Sequence, residues 1–468
     1  MCIAPSFFAP DASAGASAVL LQHVDTPGPR DNAYPSADHF VADRGEGAAL
    51  RALSQRSTLA ACGAAAAPAR PLAVYVHIPF CEAVCHYCAC SKVVTPHRSR
   101  AADYVDALEQ EIGLVRAALR EPGLAVAQLH LGGGTPTFLT DQDLHRLLAA
   151  LRRAFRLDSQ TRASIEADAR TITPARLDML RQLGFQDISY GIQDLDPQVQ
   201  RAVNRVQPHE TVAQALAWSH ELGFLSVNAD LICGLPCQTP ERFAHTVQAL
   251  IGMRPTHVTL YRYVHAPQRF RSQRRIPIGD LPAAGHCARM LADAGDRLQA
   301  RGYPWAGVDR HALPGSTPDL PCGEFFPAGT DVIGLGVSAV SRLGASCHQN
   351  AAMLADYYEA LAGGQLPVAR GLALTGDDLV RQSVMAALMT VGRVDWRAIA
   401  QAHGVDVRSH FAPELERLKP FVAAGAVEIG ADALQVTPAG RLVLRAVAQA
   451  FDRYLHQAPE GPQRPGRR

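Results

Sequence analysis

Four cysteines crowd into one short segment of this 468-residue chain. Cys81, Cys85, Cys88 and Cys90 follow one another with the spacing C-x3-C-x2-C-x-C. Free cysteines are more often buried and scattered, so such a group indicates a metal site, a disulfide or redox chemistry. Structural zinc usually takes paired C-x2-C knuckles that lie far apart, and no second pair of this kind follows.

The first three cysteines suit an iron–sulfur cluster with one open iron. Cys81, Cys85 and Cys88 supply three thiolates, whereas a ferredoxin supplies a fourth ligand to each cluster. The open iron could hold a substrate or a cofactor. His77 and His86 are further possible ligands, but packing around the loop is the more common role for such rings. Zinc and a redox disulfide remain as alternatives.

The segment from Tyr75 to Cys90 resembles the signature of radical S-adenosylmethionine (SAM) enzymes, and in particular that of the oxygen-independent coproporphyrinogen III oxidase family. The resemblance implies a 4Fe-4S cluster on Cys81, Cys85 and Cys88, with SAM at the open iron. One electron then cleaves SAM to methionine and a 5′-deoxyadenosyl radical that takes a hydrogen atom from a carbon. The resemblance also implies catalytic roles for Tyr75 and Cys90, and Cys90 is not a cluster ligand in this family.

Composition excludes several other classes of protein. The formal net charge is +1, so nothing points to a nucleic acid or an anionic membrane as partner. No apolar run approaches the roughly 20 residues of a membrane helix, and the N-terminus is not a convincing signal peptide. Eleven cysteines in a chain of this length are better explained as cytosolic thiols plus a metal site. We therefore expect a cytoplasmic protein, and a monomer.

The alternation of elements predicts an α/β fold in four parts. Residues 1–70 form an N-terminal arm and linker, and the stretch 27–37 resembles the segment that precedes the barrel in the family. Residues 71–310 alternate six strands with helices, which predicts an incomplete (β/α)6 radical SAM barrel. Residues 311–349 form a substrate-side loop and strand. Residues 350–468 form a small, mainly helical C-terminal domain, with a hairpin at 426–436 and a last helix over 442–454.

Notable residues fall at the carboxyl ends of the predicted strands, where barrel enzymes carry their chemistry. Taken alone, Gly132-Gly-Gly-Thr135 would be a structural turn, and Glu166 and Asp230 would be helix caps or solvated loop residues. Glycine nevertheless allows a backbone to approach a ligand closely, and the guanidinium of Arg205 suits a carboxylate. The resemblance implies that the first SAM is bound by Tyr75, Gly133, Gly134, Thr135, Glu166, Gln193, Arg205 and Asp230.

The family binds a second SAM beside the first. Ile232, Val264 and Val340 fall at the positions that line this second site, so the resemblance implies two SAM molecules in one active site. Cys90 argues against the related haem chaperone, in which an aromatic residue usually stands at that position. The turn that contains Gly234 and Gln238 matches a family turn that we expect to be mainly structural.

The substrate that the resemblance implies is the tetrapyrrole coproporphyrinogen III. Two of its four propionates would become vinyl groups with loss of CO2, and an electron donor such as flavodoxin or ferredoxin would reduce the cluster. Arginines would be expected to hold the remaining carboxylates. Arg30, Arg262, Arg269 and Arg310 are candidates, although each is also explained as a surface charge.

The chain departs from the family on the substrate side. Between Asp309 and Asp331 the segment is shorter than in the family and lacks its polar groups, and Arg262 stands where asparagine is usual. Two alternatives therefore stay open. One is a divergent paralogue with the same two SAM sites, acting as a radical methyltransferase, a cyclopropanase or a haem-modifying enzyme. The other is a haem chaperone without enzymatic activity.

Overall fold

The computed structural model describes residues 34–42, 45–61, 70–119, 123–316 and 329–456, together with Leu20 and His23. The chain divides into two units by its internal contacts. Among the described residues, the first unit contains those of Phe40–Leu374, and the second combines those of Phe8–His39 with those from Thr375 onward. The domain boundaries at residues 70, 310 and 349 stay predictions. No helix among the described residues is long and apolar enough to cross a membrane.

The first unit is built on one large sheet. Its strands, with a short pair beside it, are β1 (Leu72–Ile78), β2 (Phe80–Cys81), β3 (Val93–Val94), β4 (Gln128–Gly133), β5 (Arg162–Ala167), β6 (Asp187–Gln193), β7 (Ser226–Cys233), β8 (His257–Arg262), β9 (Arg310–Ala312), β10 (Asp331–Leu335), β11 (Val340–Leu343), β12 (Ser346–Asn350) and β13 (Val368–Ala373). The order in the 11-stranded sheet is β13-β12-β11-β10-β1-β4-β5-β6-β7-β8-β9, and β2 pairs with β3. The six strands β1 and β4 to β8 are parallel, which confirms the predicted incomplete (β/α)6 barrel.

Helices follow the parallel strands and cover one face of the sheet. They are α1 (Glu46–Ala61), α2 (Ser99–Leu119), α3 (Asp141–Ala154), α4 (Pro174–Gln182), α5 (Pro197–Ala202), α6 (His209–Glu221), α7 (Pro240–Gly252), α8 (Ala284–Ala300) and α9 (Leu354–Ala362). Local sequence explains where several of them begin. Thr173 and Thr239 cap α4 and α7 through their side chains, and proline follows each cap. Proline suits the first helical position because its missing N–H would have no partner there.

The two faces of the sheet differ in chemistry. On β1, Val74, Val76 and Ile78 belong to the main hydrophobic core, which they share with helix residues such as Leu108. Successive side chains of a strand point to opposite faces, so Tyr75 points away from this core. The apolar face therefore binds the helices, and the other face is free to carry polar side chains.

The sheet is wider than the six predicted strands. β10 pairs in parallel with β1 on one side, and β9 pairs antiparallel with β8 on the other. Helix α8 has no counterpart in the sequence prediction. Its buried face consists largely of Cys287, Ala288, Met290 and Ala294, and small residues of this kind give a weak periodic signal. Residues 317–328 of the predicted substrate-side loop lie outside the described part of the chain.

The second unit is helical with a small sheet. Its elements are α10 (Gly376–Val391), α11 (Trp396–His403), α12 (Val407–His410), α13 (Ala412–Arg417), α14 (Lys419–Ala423), α15 (Leu444–Gln449), α16 (Arg453–His456), β14 (Arg393–Asp395), β15 (Val427–Ile429) and β16 (Ala433–Val436). The predicted hairpin is present, and β14 extends it to three strands. The single last helix over 442–454 is wrong. Asp452 Oδ1 accepts a hydrogen bond from Tyr454 N at 2.9 Å and starts a separate helix, a capping role that favours this residue outside helix interiors.

Part of the N-terminal arm packs within the second unit. The Tyr34 hydroxyl donates to Asp378 Oδ1 at 2.9 Å, and Gln382 Nε2 donates to the Tyr34 carbonyl at 3.1 Å. The hydroxyl and carbonyl of Tyr34 therefore both bind α10. Arg30, a candidate carboxylate ligand, lies outside the described residues.

Candidate active site

The cysteine loop leaves the carboxyl end of β1 and is anchored along its length. Cys81 lies on β2, which pairs in parallel with β3 on the returning side of the loop. Farther along, His86 N donates to the Val203 carbonyl at 2.9 Å, and Asn204 Nδ2 donates to the Val84 carbonyl at 2.8 Å. The segment after α5 thus fixes the middle of the loop. Arg205, a predicted SAM ligand, lies in this same segment, directly after Asn204.

Two polar side chains reach the sulfur atoms of the loop. Thr135 Oγ1 lies 3.6 Å from Cys81 Sγ, and Arg205 Nη1 donates to Cys85 Sγ at 3.7 Å. Burial raises the pKa of the Cys81 thiol to about 11. Hydrogen bonds to sulfur and the degree of burial are the usual means by which a protein adjusts the potential of an iron–sulfur cluster. The predicted SAM ligands Thr135 and Arg205 therefore also contact the cluster loop.

The third cysteine has a different environment. A hydrogen bond from Cys90 lowers the pKa of Cys88 to about 5, against the effect of burial, and the charge of Lys92 lowers it further. Lys92 Nζ also donates to the Cys88 carbonyl at 3.2 Å. Cys90 is exposed. The structure thus places Cys90 beside a predicted cluster ligand.

The donor set of the loop consists of thiols, which are the ligands of iron–sulfur clusters. Among the described residues, no three Cys, His, Asp or Glu side chains converge as ligands of one ion would. A cluster does not need such convergence, because each thiolate binds a different iron atom. The charges of Cys85 and Cys88 both act on Cys81, so the three thiols face a common region.

The glycines at the end of β4 allow its backbone to pack closely against the end of β1 and the residues that follow it. A Cβ on Gly133 would lie 2.7 Å from the His77 ring, and one on Gly134 would lie 2.6 Å from the Pro79 carbonyl oxygen. Gly133 also has a φ of +117°, which favours glycine. Its N–H donates to Glu166 Oε2 at 3.2 Å. The predicted turn therefore brings β1, β4 and β5 together at one edge of the sheet.

Polar side chains line the sheet face that is turned away from the helices. Tyr75 is paired in register with His130, which is paired with Ser164. His130 Nδ1 lies 2.7 Å from Ser164 Oγ, and the rings of Tyr75 and His130 stack with centroids 5.9 Å apart. The Tyr75 hydroxyl lies 3.0 Å from His77 Nδ1. Tyr75 is therefore held at the inner face of the sheet, close to the cysteine loop.

Two carboxylates follow on this face. Asp230 accepts hydrogen bonds from Asn228 Nδ2 at 2.7 Å and from Ser189 Oγ at 3.1 Å. Burial and the nearby charge of Glu166 raise the pKa of Asp230 to about 6. Glu166 Oε1 lies 3.5 Å from His130 Nε2. The structure thus brings the predicted residues Glu166 and Asp230 close enough for their charges to interact.

Arg205 binds several partners around the cysteine loop. Its guanidinium donates twice to the Gly191 carbonyl, at 3.0 and 2.6 Å, and lies 3.5 Å from Asp168 Oδ2. Burial opposes ionisation of Asp168, but hydrogen bonds from Arg170 and the charge of Arg205 lower the pKa of Asp168 to about 2. Arg205 therefore links the cysteine loop to the end of β6.

Gln193 ends β6 in an unusual conformation. Its φ is +69°, and the pairing with β7 shifts register between Gly191 and Gln193. Its Oε1 is buried with no hydrogen-bond partner among the described residues. Backbone strain and an unpaired buried acceptor at the carboxyl end of a barrel strand together indicate a ligand-binding position.

The residues of the predicted second SAM site lie on three different elements. Ile232 is in β7 and packs on an apolar cluster that also contacts Tyr87 and Tyr263. Val264 follows β8 and is exposed, and Val340 begins β11. The pairing of these three residues around a ligand stays a prediction. Among the candidate arginines, Arg262 ends β8, Arg269 is exposed, and Arg310 begins β9.

Sequence reasoning missed several residues of this site. They are polar partners of the predicted ligands: His130, Asp168, Ser189, Asn228 and Thr259. Thr259 Oγ1 donates to Asn228 Oδ1 at 2.9 Å, and Asn228 Nδ2 donates to Ser189 Oγ at 2.8 Å. A signal was present, because polar residues alternate with apolar ones along these strands.

Comparison with known proteins agrees with this geometry. The model of the radical SAM superfamily matches residues 75–250, and that of the HemN C-terminal domain matches residues 374–443. Oxygen-independent coproporphyrinogen III oxidase of Pseudomonas aeruginosa is 39% identical over 451 residues, which are 93% of this chain and 95% of that protein. The proteins of that name from Escherichia coli and Helicobacter pylori are 38% and 32% identical, and each alignment covers more than 90% of both chains.

A solved structure extends the agreement to three dimensions. Coproporphyrinogen III oxidase (HemN) from Escherichia coli, described as a radical SAM enzyme, superimposes with a TM-score of 0.82 at 37% identity. The match covers 91% of this chain and 97% of that one. Nearly full-length identity above 30%, together with the assembled cysteine loop, leads to one conclusion: the chain belongs to the oxygen-independent coproporphyrinogen III oxidase family of the radical SAM superfamily.

Proposed function

We propose that this protein converts coproporphyrinogen III to protoporphyrinogen IX without oxygen, by oxidative decarboxylation of two propionates to vinyl groups. The observation that carries the proposal is the assembly at one sheet edge. There the cysteine loop, Gly133, Glu166 and Asp230 come together, and these residues lie on three separate strands and a loop. The paralogue and haem-chaperone alternatives find no support in the names of the relatives described above.

Cys81, Cys85 and Cys88 would hold the 4Fe-4S cluster, since their thiols face a common region of the loop. When bound and reduced, the cluster supplies the electron that cleaves SAM to a hydrogen-abstracting radical. Thr135 Oγ1 lies 3.6 Å from Cys81 Sγ and Arg205 donates to Cys85 Sγ, so both would help to hold these ligands in place. Cys90, beside Cys88, is placed to act on a group near the cluster rather than as a ligand.

The first SAM would be oriented mainly by hydrogen-bond acceptors of the protein. Glu166 and Asp230 offer acceptors to its amino group and hydroxyls, and the buried Oε1 of Gln193 lacks a protein partner. The glycines at the end of β4 would present their backbone to the ligand, since they have no side chain and pack closely against His77 and Pro79. Tyr75 would pack beside it from β1. A second SAM would lie against Ile232, Val264 and Val340.

The tetrapyrrole would be held by its carboxylates. Arg262 and Arg310 lie on the neighbouring strands β8 and β9, and Arg269 follows β8, so all three come from one side of the sheet. Arginine suits this task because its planar fork matches a carboxylate. A one-electron carrier such as flavodoxin or ferredoxin would reduce the cluster.

An anaerobic assay of the reconstituted protein tests the proposal. With SAM, dithionite and coproporphyrinogen III, we expect 5′-deoxyadenosine and protoporphyrinogen IX to form together. Cys81→Ala, Cys85→Ala and Cys88→Ala should each lose bound iron and both products. Cys347→Ala, which removes a buried cysteine of β12, is the matched control and should retain them.

The products separate the possible outcomes. Deoxyadenosine without any decarboxylated porphyrin would retain the radical chemistry and refute the proposed substrate. Full iron content and activity in Cys81→Ala would refute the cluster assignment. Cys90→Ala should keep its iron but lose decarboxylation.

A further inference from the structure

A basic segment lies between β8 and α8. Residues 263–279 contain four arginines and no aspartate or glutamate, whereas the whole chain has 45 basic and 44 acidic residues. At its centre is the 3-10 helix Arg271–Arg275. The side chains of Arg271, Arg274 and Arg275 are exposed. These three residues form a local concentration of positive charge, here called the arginine patch.

The arginine patch is fixed directly to the cysteine loop. Ser272 Oγ donates to the Cys88 carbonyl at 2.6 Å, and Gln273 Nε2 donates to the Tyr87 carbonyl at 3.0 Å. Both side chains are buried. Because Ser272 and Gln273 face the loop, the arginines on either side of them in the 3-10 helix face solvent. The patch is thus the outer surface of the element that covers Cys88.

A further positive charge comes from the loop itself. Lys92 Nζ donates to the same Cys88 carbonyl that Ser272 binds. The half-buried Lys92 and the exposed arginines therefore flank one predicted cluster ligand. A negatively charged protein surface that bound these side chains would lie next to the predicted cluster.

The proposed function requires one electron from outside the protein, and the inference rests on that function. We infer that the arginine patch docks a small acidic one-electron carrier protein. In the transfer, the reduced carrier loses one electron and the cluster gains it, with no bond formed or broken. Complementary charge speeds the encounter of such partners, and electron-transfer complexes have small interfaces.

The propionates of the substrate are also acidic, but they fit this patch less well. The substrate must reach the radical, which would form over the polar sheet face at the ends of β1 and β4 to β8. The side chains of the patch point instead to solvent, on the outer side of Ser272 and Gln273. The substrate is thus assigned to the polar face of the sheet, and the carrier to the solvent-exposed arginines outside Ser272 and Gln273.

Steady-state kinetics with reduced flavodoxin as carrier tests the inference on the full reconstituted protein. The triple variant Arg271→Glu, Arg274→Glu, Arg275→Glu should raise the KM for flavodoxin about tenfold or more, as expected when attractive charges become repulsive. Its rate with dithionite, a small reductant that needs no docking, should equal that of wild type. Rising salt should slow the wild type with flavodoxin and have little effect on the variant.

A matched control reverses three charges elsewhere. Arg116, Arg153 and Arg301 are exposed and lie in the last turn of α2, at the end of α3 and just after α8. The carboxyl ends of these helices lead away from the edge that carries the cysteine loop. Their triple change to glutamate should leave the KM for flavodoxin within about twofold of wild type, because long-range effects of net charge are screened.

The results distinguish this inference from the proposed function. An unchanged KM for flavodoxin in the patch variant, with normal dithionite activity in both proteins, overturns the docking site alone. An equal loss with dithionite and flavodoxin also overturns it, because the patch would then serve the substrate or the fold. Absence of product from wild type with dithionite would refute the proposed function itself.

Discussion

Asp230 and Glu111 are two buried carboxylic acids of the first unit, and their surroundings differ. Glu111, on α2, accepts hydrogen bonds from the Tyr357 hydroxyl at 2.6 Å, from Gly336 N at 2.7 Å and from Asn350 Nδ2 at 2.7 Å. Burial raises its pKa to about 7. Asp230, on β7, is hydrogen-bonded to Asn228, Ser189 and Thr259, and burial together with the charge of Glu166 raises its pKa to about 6.

Each acid has three hydrogen-bond partners, and the difference lies in the charge nearby. The oxygens of Glu111 are satisfied by donors from α9, β12 and the turn after β10, so this carboxyl joins three parts of the fold. Asp230 has a second carboxylate near it, and like charges brought together cost free energy unless a positive or hydrogen-donating ligand joins them. A fully satisfied buried acid thus indicates a structural role, and an acid beside another acid indicates a binding site.

The largest effect that would test this comparison is on stability. Glu111→Ala removes the acceptor of three buried donors, and we expect it to lower the free energy of unfolding by about 3–5 kcal/mol, since each unsatisfied donor costs about 1–3 kcal/mol. Thermal or urea unfolding of the whole protein measures the change. A loss below about 1 kcal/mol would show that the cluster around Glu111 does not hold the fold together.

The next effect concerns binding. Asp230→Asn keeps the size of the side chain and one acceptor but removes the charge. We expect SAM affinity to fall about 10- to 100-fold, a loss of about 1.4–2.8 kcal/mol, without loss of stability at pH 7. Calorimetric titration of the reconstituted protein under anaerobic conditions measures it. Unfolding of this variant together with unchanged SAM binding in its folded fraction would reverse the roles assigned to the two acids.

The pH dependence of stability separates the two acids further. An acid whose pKa is raised by folding contributes stability that is present at low pH and is lost as the pH rises through the folded pKa. For Asp230 the loss spans from its ordinary value of 3.8 to about 6, and for Glu111 it spans from 4.5 to about 7. Relative to wild type, Asp230→Asn should therefore gain up to about 3 kcal/mol between pH 4 and pH 7.

Glu111→Gln provides the companion measurement. The stability of Glu111→Gln relative to wild type should also rise with pH, over a range that ends about one pH unit higher than that of Asp230→Asn. At low pH this variant should be less stable than wild type, because the amide has one acceptor fewer than the carboxyl group. Unfolding at a series of pH values yields both difference curves. Flat curves for both variants would mean that neither acid changes its protonation on folding.

The smallest expected effect comes from removing one hydrogen-bond donor of Asp230. Ser189→Ala removes a hydroxyl that donates to Asp230 Oδ2 and accepts from Asn228 Nδ2. We expect SAM affinity to fall two- to fivefold, because a single hydrogen bond contributes about 0.5–1.5 kcal/mol. The same titration measures it, with Ser219→Ala as control, since Ser219 is a buried serine of α6 whose hydroxyl lies 2.8 Å from the Tyr190 hydroxyl on the helix side of the sheet. An effect as large as that of Asp230→Asn would mean that position, and not charge, governs binding.

Much of the fold could be predicted because its signals are local. The six parallel strands show as apolar runs of ordinary strand length, and threonine followed by proline marks the start of helices such as α4. Helix α8 was not predicted, because its buried face is made largely of small residues and these give a weak periodic signal. The last helix was predicted too long because Asp452 caps a separate helix through Tyr454 N, and the apolar periodicity of the sequence does not show this break.

By itself, the sequence determined the residue types of the site: three cysteines in one loop, glycines at the end of β4, and acids on β5 and β7. Spacing along the chain carries this information, since parallel strands bring their carboxyl ends to one edge. Only the tertiary structure decided which side chains these residues contact. Glu111 and Tyr357 are 246 residues apart, and Arg205 meets Cys85 across 120. Contacts of such separation leave no local pattern, because they exist only when packing has already brought the two segments together.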